Sequence, residues 1–175
     1  DNAFEEHAYQ DKAFPIDAGQ TISQPYTVAY QTSLLQIEKR EKVLEVGTGS
    51  GYQAAILALL GARVYTVERH EQLYQRAKQL LEQLDLLGVR CNFGEGYIGL
   101  GEFDTFDKII VTAGAPYIPD ALKALLKLGG ILVIPVGAEQ QRMWRIERLD
   151  EQTYQEQELE AFQFVPLLKG KNHQP

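Results

Sequence analysis

The chain has 175 residues, 45% of them hydrophobic and 23% charged, with a net charge of -7 at neutral pH. That length carries one domain with a real core, and the acidic balance excludes both the basic stripe of a nucleic-acid binder and the patch that holds a protein on anionic lipid. A single cysteine, Cys91, rules out an intrachain disulfide and a zinc site built from several thiols, and it fits a reducing cytoplasm.

The chain opens at Asp1 rather than at a methionine, with a charged stretch that lacks the apolar core of a signal peptide. Its longest apolar runs, such as residues 54–60, are too short to span a bilayer. Residues 1–24 read as a loop segment with turn signals at Pro15 and Asp17-Ala18-Gly19. Pro25 opens a helix through about Glu38, and Ser23, two residues ahead of it, reads as the helix cap. A β-rich strand at 42–46 is followed by a helix at 52–61, a strand at 63–68 and a long amphipathic helix at 70–88. Residues 90–96 form a weaker strand and turn, 107–114 a buried strand, 118–130 a helix and 131–137 another buried strand.

Strands alternating with helices imply an α/β fold, with a mostly parallel sheet covered by helices on both faces. After Gly137 the pattern becomes two alternating apolar–polar runs, 142–150 and 157–168, joined by a polar turn. They read as an antiparallel C-terminal hairpin on one edge of the sheet. The whole chain, 1–175, is expected to be a single domain, with a βαβ core at 25–137 and an edge hairpin at 138–170.

The stretch "VLEVGTGSGYQAA" sets Gly47, Gly49 and Gly51, with Thr48 among them, between a strand and a helix. Such a loop turns tightly and lets helix N–H groups face a ligand. Glu68 ends the next strand, 17 residues after Gly51, where a carboxylate can accept from both hydroxyls of a ribose. Together they indicate a nucleoside cofactor at the carboxyl ends of the strands. A dinucleotide fingerprint starting at Gly47 fails at Tyr52, although Gly49, Gly51 and Ala54 fit its looser form. Glu45, at the mouth of the first strand, would repel a pyrophosphate and favour a ligand carrying an amine and a sulfonium. S-adenosylmethionine therefore leads, and a nicotinamide cofactor follows.

The fourth core strand is followed by Thr112-Ala113-Gly114-Ala115-Pro116, small residues with no candidate base. His7, His70 and His173 read as ordinary surface histidines. A missing base suits an acceptor that is already anionic, because a carboxylate attacks a sulfonium methyl directly once aligned and desolvated.

Six blocks in order, "GQTISQPYTVA", "VLEVGTGSGYQAAILA", "VYTVER", "DKIIVTAGAPYIP", "LKLGGILVIPVG" and "FVPLLKG", resemble the protein-L-isoaspartate (D-aspartate) O-methyltransferase family. The resemblance runs from about Phe4 to Gly170. It implies a Rossmann-like S-adenosylmethionine-dependent methyltransferase fold, with S-adenosylhomocysteine as product. The implied activity is methylation of the free carboxylate of L-isoaspartyl and D-aspartyl residues in aged proteins, whose esters close to a succinimide and reopen partly as normal aspartate. It assigns Ser23 to the active site, as a hydrogen-bond donor to the substrate carboxylate or the closing loop. It carries cofactor contacts onto Thr21, Ile22, Ser23, the Gly47–Gly51 loop, Glu68, Arg69, Glu95 and Gly96, and substrate contacts onto Val165, Pro166 and Leu167.

Three departures from the family pattern stand out. Asp17-Ala18-Gly19 replaces a Gly-x-Gly, Gly94-Glu95-Gly96 replaces Gly-Asp-Gly, and a helical segment usual before "FEEHAYQD" is absent from this sequence. The partners expected are isoaspartyl proteins and peptides, with no nucleic acid and no membrane, and the protein is expected to be a cytoplasmic monomer. The alternatives are a methyltransferase acting on another small carboxylate, a non-catalytic S-adenosylmethionine-binding module and a nicotinamide-dependent oxidoreductase.

Overall fold

A computed structural model describes residues 10–95, 105–168, 170 and 172. Strands β3 (Lys42–Val46), β4 (Arg63–Glu68), β5 (Arg90–Phe93), β6 (Phe106–Val111) and β7 (Leu126–Val136) pair in parallel, and β8 (Gln141–Arg148) and β9 (Tyr154–Phe162) add an antiparallel hairpin. The sheet order is β5-β4-β3-β6-β7-β8-β9. From β3 the chain steps outward through β4 and β5, then returns to the other side of β3 with β6. That reversal opens a crevice at the carboxyl ends of β3 and β6, where α/β sheets bind ligands. Ahead of the sheet, β1 (Phe14–Pro15) and β2 (Thr21–Ile22) pair around a 3-10 turn at Asp17–Gly19. The loop expected at 1–24 thus holds a small hairpin.

Parallel strands buried on both faces need apolar residues at every position, and β6 supplies them with Ile109, Ile110 and Val111, all 0% exposed. Alternate positions feed opposite faces. Val43, Val64, Ile110 and Val133 pack with Leu35 of α1 (Pro25–Leu35), Ala54 and Leu57 of α2 (Tyr52–Leu59), and Leu81 of α3 (Glu71–Gln83). Leu44, Val46, Ile109, Leu132 and Ile134 pack on the other face with Leu122 of α4 (Asp120–Ala124).

The helix expected at 118–130 is cut to the five residues of α4, and β7 begins at Leu126. The leucines there have helical spacing, but Leu126 pairs with Phe106 while Ile131 pairs with Lys108, so a bulge absorbs the residues between. Gly129, at φ 74, supplies the left-handed turn that bulge needs. The first helix likewise ends at Leu35 rather than near Glu38, because Gln36 takes the left-handed conformation at φ 53.

Candidate functional site

Gly47 follows β3 directly, and its amide donates to Val67 O at 2.9 Å. Its φ of 101 is left-handed, and a Cβ there would lie 2.5 Å from Thr112 Oγ1. Thr112, just beyond β6, donates its hydroxyl to Gly47 O at 2.6 Å. The fourth strand, which offers no base, thus supplies the clamp that fixes the glycine loop. The sequence gives no sign of this beyond the small size of the residue.

The far side of the loop is fixed by Glu68. Its Oε2 accepts from Gly49 N at 2.9 Å and its Oε1 from His70 N at 2.9 Å. A carboxylate oxygen can take more than one hydrogen bond, so acceptor capacity remains for the two hydroxyls of a ribose. Thr48 Oγ1 and Thr66 Oγ1 lie 2.6 Å apart beneath the loop.

One cavity is lined by Thr21, Ile22, Ser23, Glu45, Gly47, Thr48, Gly49, Glu68, Arg69, Val165, Pro166 and Leu167, twelve residues drawn from the candidate set. Gln20, Ser50, Tyr52, Gln53, His70 and Thr112 also line it. Two candidates stand elsewhere. Gly51 sits behind the loop at the start of α2, where a Cβ would lie 3.5 Å from Leu81. Glu95 is half-buried and not part of the wall. Gly96 lies outside the described residues, as do His7 and His173.

Ser23 does not cap the helix. The N-cap is Gln24, without a side-chain cap bond, and the amide of Tyr26 is capped by Asp11 Oδ1 at 3.0 Å. Pro25, which has no N–H, moves the first donor in need of a cap to Tyr26, and a carboxylate from 15 residues upstream reaches it. Ser23 is left on the cavity wall.

The segment 165–167 is held across the cavity by Gly114, whose amide donates to Val165 O at 2.8 Å and whose carbonyl accepts from Leu167 N at 2.8 Å. Gln141 adds a bond from Phe164 N to its Oε1 at 2.8 Å. Further on, Asn172 N donates to Arg69 O at 2.8 Å, Glu71 N donates to Asn172 O at 3.1 Å, and the Asn172 amide lies 3.2 Å from His70 Nδ1. His70 is therefore not a surface histidine: it is 7% exposed, and burial first, then the Arg69 charge, hold its pKa below 6.5 against the opposing pull of Glu68. Its neighbour 102 positions away could not be read from local sequence.

Glu45 also departs from expectation. It is 0% exposed rather than open at the strand mouth, sits between Thr66 and Ile110 in the sheet, and neither carboxylate oxygen has a hydrogen-bond partner. Burial pushes its pKa up to about 8. The Thr66 hydroxyl offsets part of that, and the Glu68 charge adds to it. An orphaned acid beneath a loop of backbone donors fits a ligand that brings positive charge beside a ribose, which is the chemistry of S-adenosylmethionine. Among the described residues no cluster of acidic, histidine or cysteine side chains could hold a metal, and no helix is long and apolar enough to cross a membrane.

Residues 1–172 match the family model described as protein-L-isoaspartate(D-aspartate) O-methyltransferase. A protein-L-isoaspartate O-methyltransferase of Christiangramia forsetii is 57% identical over 172 residues, covering 98% of this chain and 81% of that protein. One of Flavobacterium psychrophilum is 57% identical over 171 residues, covering 98% and 80%. A crystal structure from Plasmodium falciparum, of a protein-L-isoaspartate O-methyltransferase in complex with S-adenosyl-L-homocysteine, superposes with a TM-score of 0.81 at 26% identity, over 95% of this chain and 84% of that one.

Proposed function

This chain belongs to the protein-L-isoaspartate(D-aspartate) O-methyltransferase family and is an S-adenosylmethionine-dependent enzyme of that activity; within it, we propose that Ser23 is the residue that meets the substrate carboxylate. The observation that carries this assignment is the meeting, in one cavity, of the Ser23 loop, the glycine loop and the 165–167 segment. Bound S-adenosylmethionine supplies an electrophilic methyl on a sulfonium.

The protein's own part is alignment. Glu68 accepts from the ribose and holds the Gly49 amide in place. The glycine loop presents backbone N–H groups, and Arg69 and the Thr21–Ser23 loop complete the cofactor walls. Val165, Pro166 and Leu167 lie along the substrate backbone and exclude water. The Ser23 hydroxyl donates to the isoaspartyl carboxylate and orients one oxygen lone pair toward the methyl. No base is needed, because the nucleophile is already ionised at neutral pH. The chain is further proposed to work as a single-domain monomer in the cytoplasm, on isoaspartyl proteins and peptides.

Methyl transfer from labelled S-adenosylmethionine to a peptide with one isoaspartate, against the aspartyl peptide, tests the reading. Transfer to the isoaspartyl peptide, with methanol released by mild base, is expected. Near-normal turnover in Ser23→Ala would reject the serine's role.

A further inference from the structure

Among the described residues, Glu45 is the least accommodated group. Its carboxyl is fully buried, both oxygens lack a hydrogen-bond partner, and it lines the cofactor cavity. An ionised carboxylate in that position carries a desolvation cost that the Thr66 hydroxyl offsets only in part and the Glu68 charge adds to. We propose that Glu45 holds a proton in the cofactor-free protein and surrenders it when S-adenosylmethionine binds, so that the site distinguishes the sulfonium cofactor from its neutral-sulfur product. This rests on the cofactor reading above.

The step is simple in its balance. The O–H bond of Glu45 breaks, the electron pair stays on the carboxylate, and the proton passes to the buffer. S-adenosylmethionine carries an ammonium, a carboxylate and a sulfonium, for a net charge of +1. S-adenosylhomocysteine lacks the sulfonium and is neutral overall. A cation beside a buried acid stabilises its ionised form, whereas a neutral zwitterion does so less. After methyl transfer Glu45 regains its proton, and the product is held by one charge fewer.

The neighbouring groups do not supply the same proton. Glu68, on the adjacent strand, has both oxygens engaged by backbone amides and opposes ionisation of Glu45. Cys91 on β5, pushed up to about 11 by burial with Glu45 adding to it, keeps its thiol proton at neutral pH. His70 is held below 6.5 and is already neutral there. Lys108, two positions from the sheet partner of Glu45, pairs with Glu41 at 3.6 Å.

Titration calorimetry on the whole chain at pH 7, in phosphate and in Tris, counts the protons released per ligand bound. Close to one proton is expected for S-adenosylmethionine and clearly fewer for S-adenosylhomocysteine. Glu45→Gln should remove that difference. The affinity for S-adenosylmethionine should rise up to about tenfold per pH unit below pH 8 in the native protein, and that rise should be lost in the variant. Equal proton counts for the two ligands, or a release that survives in Glu45→Gln, would overturn the proposal. If the variant does not fold, the native comparison of the two ligands decides alone. Binding without proton release rejects this proposal and leaves the cofactor reading intact; failure of either ligand to bind rejects both.

Discussion

Gly49 N donates to Glu68 Oε2 at 2.9 Å, so the acid that ends β4 also holds the loop that follows β3. One side chain thereby holds the glycine loop and lines the cavity beside it. Glu68→Ala strands two donors, the half-buried amide of Gly49 and the buried amide of His70. We expect a loss of about 1–3 kcal/mol in unfolding free energy, by denaturant titration. We also expect S-adenosylhomocysteine affinity to fall by at least about tenfold, by calorimetry. Glu68→Gln, which keeps one acceptor oxygen, should cost less in both. Equal losses in the two variants would mean that charge alone matters.

The overlap between a Cβ at Gly47 and Thr112 Oγ1 predicts coupling between the two positions. Gly47→Ala should destabilise by more than about 1 kcal/mol, from the left-handed φ and the clash together. In a Thr112→Ala background the clash is gone and only the backbone strain remains. A double-mutant cycle should therefore show non-additivity of at least about 0.5 kcal/mol. Strict additivity would place the whole cost in the backbone.

Asp11 and Ser23 should separate cleanly. Asp11→Ala removes the cap on Tyr26 N and should cost about 0.5–2 kcal/mol of stability, while turnover per folded molecule is kept. Ser23→Ala should change stability by less than about 0.5 kcal/mol and lose most of the turnover. Thermal unfolding and methyl transfer on the same preparations read both. The reverse pattern would make Ser23 the structural residue.

His70 gives an acid limb. Its folded pKa lies below the ordinary 6.5, so the unfolded chain takes up the proton first. Its contribution is complete above about pH 6.5 and declines as the pH falls below that value. Unfolding free energy measured from pH 7.5 to 5 should drop less steeply in His70→Gln than in the native chain. An unchanged slope would mean that the decline belongs to other groups.

The order of the core elements was legible because each carries its own period: buried strands read at 107–114 and 131–137, and an amphipathic helix with Leu73, Ala77, Leu80, Leu81 and Leu84 on one face, of which Leu80 and Leu84 are exposed in the structure. The stretch around Leu122–Gly130 misled, because leucine spacing speaks for a helix while the strand is set by pairing with β6, a partner 20 residues earlier. Ser23 read as a cap because Pro25 follows it, and the true cap, Asp11, acts from a distant turn. His70 was read as a surface histidine for the same reason. Burial is a property of the assembled sheet and of the returning tail, not of flanking residues. The glycine loop and Glu68 were readable because both belong to one contiguous strand–helix–strand unit.

The clasp around Asn172 bears on durability. Asparagine ages when its side-chain carbonyl swings onto the backbone nitrogen of the next residue and closes a ring. Here the backbone N–H and C=O of Asn172 are both engaged with Arg69 and Glu71, and its amide is held toward His70. Deamidation at Asn172, followed by peptide mapping during prolonged incubation, should therefore run slower in the folded chain than in the unfolded one, and faster in His70→Ala. An enzyme whose substrates are worn proteins would, through this tether, delay the same wear in its own tail.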